Sequence, residues 1–342
     1  MSFSWKTTPR PIVALAPMAG VTDASYRQLI KRIAPEVIVY TEFLSTDAIH
    51  YGAKKTMEMI HFDPRLEHPF IVQVFGKDPE HFLSAAKVIE QLGADGIDIN
   101  MGCPAAKVVS SCHGSALIRN PDLAAELVHA TKKAVQIPVS VKTRLGWDKI
   151  ETLLPFCQRI IEAGAEALAI HGRRYCDKFS GAANWDPIYE LKKALPHIPI
   201  IGNGDIASAA DAVTKIGNLD GVMVGRGTFG NPWVMGEICE ALRDRNEMQQ
   251  METQQTETQQ RCVSTEDVQM TPNISTISFA EKIPLILEHC ALAVRLKGEK
   301  RGMLEMRRHL ASYVRGQPGA AEMRARLVVA EKIEDVKAVL CV

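Results

Sequence analysis

The sequence predicts an α/β protein, a (β/α)8 TIM barrel followed by a smaller all-α helical domain. Short apolar runs alternate eight times with helical patterns, and no Asn-Gly-type hairpin turn joins them. Strands that alternate with helices in this way form a parallel sheet. The chain has 342 residues, which leaves room for a barrel of roughly 250 residues and a second unit. A doubly wound open sheet is the alternative fold, but no GxGxxG pattern follows the first strand.

Each predicted strand is a short apolar segment, and the eight segments are 12–16, 37–40, 70–74, 96–100, 139–143, 167–170, 199–202 and 221–224. The helical patterns that follow them cover 23–32, an amphipathic stretch near 45–59, 78–92, 121–135, a stretch ending near 163, a stretch after Pro187, 208–216 and 232–243. Asp23 has the position of an N-cap, and Pro79 that of a first helical residue.

Composition excludes several classes of protein. The formal net charge is zero, so nothing attracts the whole chain to nucleic acid or to a membrane. The 8 cysteines are scattered without CxxC spacing, which argues against a zinc site or a redox pair. No apolar run approaches the roughly 20 residues that span a membrane, and residues 1–10 lack the apolar core of a signal peptide. We expect a cytoplasmic monomer that binds no metal and no membrane.

The composition changes after the barrel, which predicts three segments: a barrel domain at 1–243, a linker at 244–277 and a helical domain at 278–342. Residues 246–260 form a Gln/Thr/Glu/Met tract that cannot bury a core face, as in a flexible or weakly helical linker. The helical domain is predicted to break near Pro284, Gly298, Gly302 and residues 316–319.

The helical domain has a basic segment, residues 295–326. It holds nine Lys/Arg against three Glu, so its net charge is nine minus three, or plus six, in a chain whose formal net charge is zero. A basic stretch is usually a solvated helix face. It is also the charge pattern of a protein that binds a phosphate backbone.

Cys103 lies on a loop directly after the fourth predicted strand. The Gly-Cys-Pro sequence ends the strand, because proline lacks the N–H that a sheet requires. A small buried cysteine beside a turn is one interpretation. A catalytic thiol at the carboxyl end of a barrel strand is the other, and the flanking polar residues Asn100 and Lys107 bring the two closer to equal weight.

Polar or special residues follow nearly every predicted strand, where TIM-barrel active sites lie. They are Pro17, Met18 and Ala19, Gln73, Asn100 with Cys103, Lys142 with Arg144, His171, Asn203 with Gly204 and Asp205, and Gly225 with Arg226. Single members could cap helices or satisfy backbone groups. Chance explains poorly why so many strand exits are polar while the strand bodies stay apolar.

The last two strands are followed by glycine-rich turns, which is where this fold usually binds phosphate. Arg226 adds positive charge to the second turn. Lys142 and His171 would lie over the barrel mouth, and Gln73 offers both a donor and an acceptor to a polar ring. A cofactor with one phosphate and a flat heteroaromatic ring fits this set, and FMN is the natural candidate.

With these motifs assembled, the chain resembles the tRNA-dihydrouridine synthase family from about residue 12 to 242 and again in its C-terminal helices. The matching segments are 16–23, 73–76, 100–104, 141–146, 171–173, 202–205 and 225–227. Residues 306–309 and 316–320 are most similar to the bacterial B-type branch. The sequence departs from the family's usual pattern in two places. Arg174 stands where the family usually has Thr, and the glutamine-rich tract at 246–260 is not typical of the family.

The resemblance implies an enzyme that reduces the C5–C6 bond of tRNA uridines with FMN, which NADPH (or NADH) recharges. Cys103 would then protonate C5, Asn100 and Arg144 would orient the uracil, and the C-terminal helices would hold tRNA. It implies that FMN is bound by Pro17, Met18, Ala19, Gln73, Lys142, Asn203, Gly204, Asp205, Gly225 and Arg226, with His171 near its ring.

Two other functions compete with this one. An FMN-dependent reductase of a free pyrimidine, similar to dihydroorotate dehydrogenases, would share barrel, cofactor and rim acid, but it does not need a basic helical domain. An RNA-binding barrel without turnover would leave the combination of Cys103, Lys142 and His171 unexplained.

Overall fold

A computed structural model describes residues 3–259 and 278–340 of the chain. Its strands are β1 (Ile12–Leu15), β2 (Val39–Tyr40), β3 (Leu44–Ser45), β4 (Phe70–Phe75), β5 (Gly96–Asn100), β6 (Val139–Arg144), β7 (Ala167–His171), β8 (Ile200–Asn203) and β9 (Gly221–Val224). All pair in parallel, in the order β1-β9-β8-β7-β6-β5-β4-β2, with the short β3 beside β4. A parallel bridge between Ala14 and Ile38 joins the two ends. The predicted TIM barrel is therefore confirmed.

The barrel helices are α1 (Ala24–Ile33), α2 (Thr46–His50), α3 (Lys54–Ile60), α4 (Pro79–Gln91), α5 (Ala106–Ser110), α6 (Pro121–Ala134), α7 (Leu153–Glu162), α8 (Asp186–Ala194), α9 (Ala209–Lys215) and α10 (Val234–Gln259). The amphipathic stretch predicted near 45–59 is two helices, because Gly52 adopts a left-handed φ of 65° between them. That conformation suits glycine and ends a helix.

Alternation along the strands separates two cores. Ile12 and Ala14 point into the barrel and pack with residues such as Ile71 and Met223, whereas Val13 and Leu15 pack against the surrounding helices. Side chains of a strand alternate between its two faces, so apolar groups fill most of the interior, and most polar side chains of the barrel lie toward the carboxyl ends of the strands. The interior is thereby a packed core and the rim is free for chemistry.

The helical domain consists of α11 (Phe279–Lys297), α12 (Glu299–Tyr313), α13 (Ala320–Leu327) and α14 (Ile333–Leu340). Breaks occur at Gly298 and at residues 316–319, as predicted, but the breaks predicted at Pro284 and Gly302 are wrong. Pro284 lies inside α11, where it removes one backbone donor. Gly302 lies inside α12, and a Cβ there would approach the carbonyl oxygen of Ala293 to 2.7 Å. Its role is close helix packing.

The predicted linker begins inside α10, which continues from Val234 to Gln259. Gln, Glu and Met are good helix formers, and no Gly or Pro interrupts residues 244–259. Residues 260–277 of the predicted linker lie outside the described part of the chain. Within that part, no helix is long and apolar enough to cross a membrane.

The two domains meet through a partly buried ion pair between the start of α1 and the end of α11. Asp23 caps α1 and forms an ion pair with Lys297, which also pairs with Glu305. Burial by itself would raise the pKa of the Asp23 carboxyl, but the Lys297 ammonium and the hydrogen bonds from Lys297 and Ser25, together with His289, outweigh it and hold that pKa well below its ordinary value. Beside this pair, the ring of Tyr26 lies between barrel and helical domain, 5.4 Å from that of His289. The helical domain thus packs against the barrel through both polar and aromatic contacts.

Candidate active site

Every predicted site residue lines one cavity of about 780 Å³ at the carboxyl ends of the strands. The strand register explains the convergence. Asn100 lies beside Lys142 across β5 and β6, and Arg144, His171 and Asn203 are successive neighbours across β6, β7 and β8. Cavities of this size bind small molecules and cofactors.

The charges around the cavity favour an anionic ligand. Among the described residues, its lining holds four cationic side chains, Lys142, Arg144, Arg226 and Arg315, against one carboxylate, Asp205. The net charge of the lining is therefore four minus one, or plus three. The carboxylate is already engaged, since it accepts hydrogen bonds from Arg173 at 2.7 Å and from Arg226 at 3.2 Å.

The Cys103 loop is held to the end of β5 by one side chain. Asn100 Oδ1 accepts hydrogen bonds from the backbone N–H groups of Gly102, at 3.1 Å, and Cys103, at 2.9 Å. Gly114 packs beneath the loop, where a Cβ would come within 2.9 Å of the Cys103 carbonyl oxygen. Cys103 is partly buried, and this burial raises the pKa of its thiol, although Arg144 and Lys142 oppose the shift. The thiol therefore keeps its proton at neutral pH.

Lys142 is fixed over the centre of the barrel. Its Nζ donates to Asn203 Oδ1 at 2.9 Å, and Asn203 Nδ2 in turn donates to the Met223 carbonyl at 2.7 Å. Burial, reinforced by Arg144, lowers the pKa of Lys142 to about 8. The ammonium is thus mostly charged at pH 7 but titrates in an accessible range.

His171 is a neutral imidazole in this setting. Burial, reinforced by the neighbouring cations Lys142, Arg144 and Arg173, lowers its pKa to about 2. The guanidinium of Arg173 lies 3.3 Å from His171 Nε2. Because arginine can only donate, Nε2 accepts and the proton sits on Nδ1. His171 can therefore donate one hydrogen bond without carrying charge.

The two glycine-rich turns form the opposite end of the cavity. Gly202 has no room for a side chain, since a Cβ would collide with Trp185 at 2.1 Å. Gly204 has a φ of 129°, which few other residues adopt. The Trp185 indole N–H donates to the Gly204 carbonyl at 3.2 Å. Close packing of the turns leaves backbone N–H groups and Arg226 at the rim, a donor set that suits a phosphate.

Arg144 braces two loops. Its Nε donates to the Gly102 carbonyl at 2.7 Å, and its Nη1 donates to the carbonyls of Arg174, at 3.2 Å, and Lys178, at 2.7 Å. The Cys103 loop and the loop after β7 are thus joined through one guanidinium. Three carbonyl acceptors hold this cation at the barrel mouth.

Sequence reasoning missed several residues of the lining or its support, and four of them bear on the chemistry. Phe179, 54% exposed, lies between the guanidinium groups of Arg144 and Arg226, at 5.4 and 5.2 Å from them. Phe43 and Arg315 also line the cavity, and Arg315 comes from the helical domain. Asp98 lies buried beneath it. The sequence signal for Asp98 was a carboxylate inside an otherwise apolar strand. The sequence signal for Arg315 was its position in the basic segment.

The unusual Arg174 does not line the cavity. Its side chain forms an ion pair with Asp177 at 2.8 Å and donates to the Asp148 carbonyl at 2.9 Å. The two contacts direct the guanidinium away from the site. Arg174 therefore contacts the loop after β7 and not the cavity.

A family model described as Dihydrouridine synthase (Dus) matches residues 14–341. The chain belongs to the dihydrouridine synthase family. It is 36% identical over 331 residues to the probable tRNA-dihydrouridine synthase 1 of Synechocystis sp., covering 96% of this chain and 85% of that protein. It is 36% identical over 336 residues to the tRNA-dihydrouridine synthase B of Pseudomonas putida, covering 97% and 90%. The family predicted from the motifs is confirmed.

A solved structure of DHODH from Eimeria tenella, in complex with ferulenol, has a TM-score of 0.52 with this chain. The match covers 70% of this chain and 82% of that one at 14% identity. Such a likeness shows a shared barrel fold and nothing about the substrate. Membership in the dihydrouridine synthase family implies a flavin cofactor, and the net positive cavity with its glycine-rich turns fits a phosphorylated flavin.

Proposed function

We propose that this protein is a tRNA-dihydrouridine synthase that uses FMN in the 780 Å³ cavity and NADPH, or NADH, as reductant. The observation that carries the proposal is the gathering of a protonated thiol, a charged lysine, a neutral histidine and a phosphate-suited rim in one cavity. Family membership supports the reaction, and the names of the relatives support tRNA as substrate.

The cofactor residues divide by chemistry. Arg226, with the turns at residues 203–205 and 225–227, would hold the phosphate, while Lys142, Gln73 and His171 would face the polar ring. Pro17, Met18 and Ala19 would close the side of the cavity next to β1. When bound, FMN would supply the chemistry of hydride transfer between the nicotinamide and C6 of the uracil ring.

Cys103 would supply the proton that this reduction requires at C5. Its raised pKa keeps the thiol protonated, as a general acid needs and unlike a nucleophilic cysteine. Asn100 and Arg144 would orient the uracil. Since a base must leave the stack of a folded RNA to enter a buried site, the open mouth near Phe179 would receive the extruded nucleotide.

The helical domain would bind the RNA backbone. Lys300, Arg315, Arg324 and Arg326 are exposed on it, whereas Lys297 is committed to Asp23 and Glu305. We propose the division into barrel domain, linker and tRNA-binding helical domain on this basis. The direct test is to measure dihydrouridine in unmodified tRNA after incubation with the purified protein, FMN and NADPH. Absence of dihydrouridine with protein that carries flavin and whose flavin is reduced by NADPH would contradict the proposal.

A further inference from the structure

The barrel contains a buried carboxylate that the reaction does not use directly. Asp98 lies on β5 and is fully buried. Its Oδ1 accepts from Ser140 Oγ at 2.6 Å, and its Oδ2 accepts from Gln73 Nε2 at 2.7 Å. Residues 73, 98 and 140 are aligned across β4, β5 and β6. Tyr40 and Lys142 are the other titratable groups that sense its charge.

A chain of hydrogen bonds runs from this carboxylate to the Cys103 loop. Gln73 Oε1 accepts from Asn100 Nδ2 at 3.0 Å, and Asn100 Oδ1 accepts from the backbone N–H of Cys103 at 2.9 Å. Each link joins a donor of one residue to an acceptor of the next. The four residues therefore form a continuous relay from the barrel interior to the catalytic loop.

The orientation of the two amides in the relay is set by the carboxylate at its inner end, Asp98. An ionised carboxylate only accepts hydrogen bonds, so the Gln73 amide must turn its NH2 toward it and its oxygen toward Asn100. Asn100 must then present its NH2 to Gln73 and its oxygen to the loop. Burial raises the pKa of Asp98 to about 6, against the hydrogen bonds from Ser140 and Gln73, so it is mostly ionised at neutral pH.

We propose that Asp98 is a positioning residue for the reaction: through Gln73 and Asn100 it sets the amide orientations that hold the Cys103 loop in place. An acceptor facing Gln73 Nε2 is the property that matters. Without one, both amides can flip, and a flipped Asn100 would point NH2 at the N–H groups of Gly102 and Cys103. Buried polar groups that lose a partner in this way rearrange or leave the loop unanchored.

Two substitutions separate this role from a general effect on packing. Asp98→Asn keeps the size and one oxygen that can face Gln73, while its NH2 can donate to Ser140 Oγ. Asp98→Leu has a similar shape without an acceptor. If Asp98→Leu does not fold, Asp98→Ala takes its place, since the smaller side chain cannot overlap its neighbours. Ser140→Ala, measured at about pH 8 so that loss of its hydrogen bond does not protonate Asp98, is the matched control, because Ser140 contacts Asp98 but is outside the relay.

The test combines two measurements. Hydrogen exchange of the peptide around Cys103, on the protein without substrate, is expected to be faster by about tenfold or more in Asp98→Leu and near wild type in Asp98→Asn and Ser140→Ala. Reoxidation of the reduced flavin by tRNA is expected to slow by about tenfold or more in Asp98→Leu and within about threefold in the other two.

Equal behaviour of Asp98→Asn and Asp98→Leu would overturn the proposal, because charge or packing would then explain the effect. Wild-type exchange in Asp98→Leu would overturn it as well. The kinetic arm rests on the proposed function, but the exchange arm does not. Wild-type protein that fails to react with tRNA would therefore count against the function and leave the relay to be decided by exchange.

Discussion

Lys142 Nζ donates a 2.9 Å hydrogen bond to Asn203 Oδ1, which connects β6 and β8 at the mouth of the barrel. The same asparagine donates to Met223 on β9. A lysine that is held at its tip has lost its rotamer freedom before any ligand arrives. This preorganisation is what a charged contact to a flavin ring requires.

FMN affinity is expected to fall as pH rises through about 8, because Lys142 then loses the charge that it would offer the ring. Its pKa is lowered from 10.5, so the folded protein gives up this proton earlier than a free lysine does. Lys142→Met should bind FMN more weakly without this pH dependence, whereas Arg226→Ala should retain it. Flavin fluorescence titrations between pH 6.5 and 9.5 measure the effect. Affinity that stays constant across this range in the wild type would refute the assignment.

Arg226→Ala is expected to weaken FMN binding by about tenfold or more, since a hydrogen bond to a charged group contributes roughly 1.5–3 kcal/mol. Arg174→Ala is the matched control, because Arg174 is a nearby arginine whose side chain pairs with Asp177 outside the cavity. The flavin content after purification and the dissociation constant give the answer. Equal losses in both variants would point to a general effect of removing an arginine.

These site predictions were possible because parallel strands bring their carboxyl ends to one rim, so polar residues after apolar runs identify the mouth without a structure. The rest depended on three-dimensional contacts. Phe179 lies on a loop, and only its place between Arg144 and Arg226 marks it. Asp98 belonged to a predicted strand body, and its partners come from other strands.

Two glycines show why the predicted elements differ from the fold. Gly302 was predicted to break a helix because glycine is a poor helix former, but packing against Ala293 outweighs that preference. Gly52 divides a segment whose apolar pattern continues across it. Local sequence therefore predicts the order and type of elements well. Tertiary packing decides which glycines end a helix.

The basic segment of the helical domain is expected to set the salt dependence of tRNA binding. Lys300→Gln, Arg315→Gln and Arg324→Gln should each lower the slope of log affinity against log salt by about 0.7–0.9, if each contacts one phosphate. Lys87→Gln, an exposed lysine on α4 outside the segment, is the control. Binding assays at several salt concentrations measure the slopes. Unchanged slopes in all three variants would exclude this segment as the phosphate-binding surface.

The contact between Asp23 and Lys297 is expected to stabilise the seating of the two domains. Lys297→Met leaves the Asp23 carboxylate unpaired and should cost up to about 3 kcal/mol, more than Asp23→Asn, after which Lys297 still pairs with Glu305. Arg32→Ala, which breaks the exposed pair with Glu288, should cost less than about 1 kcal/mol. Urea unfolding compares the three variants.

The pH dependence of this contact has a definite sign. The pKa of Asp23 is lowered from its ordinary 3.8, so the ion pair contributes fully above that value and is lost as the pH falls below it. Both Asp23→Asn and Lys297→Met should lack this component of acid unfolding. Variants that unfold in acid with the same profile as the wild type would show that the pair does not couple the domains.

Cys103→Ala separates the two half-reactions of the proposed enzyme, because they need different groups. NADPH should reduce the bound flavin at nearly the wild-type rate, since no proton from the thiol is involved. Reoxidation by tRNA should slow by about 100-fold or more, the usual size of a general-acid effect. Rapid-mixing absorbance measurements follow each half-reaction separately. We expect selective slowing of reoxidation, and equal rates in wild type and variant for both half-reactions would exclude Cys103 as the general acid.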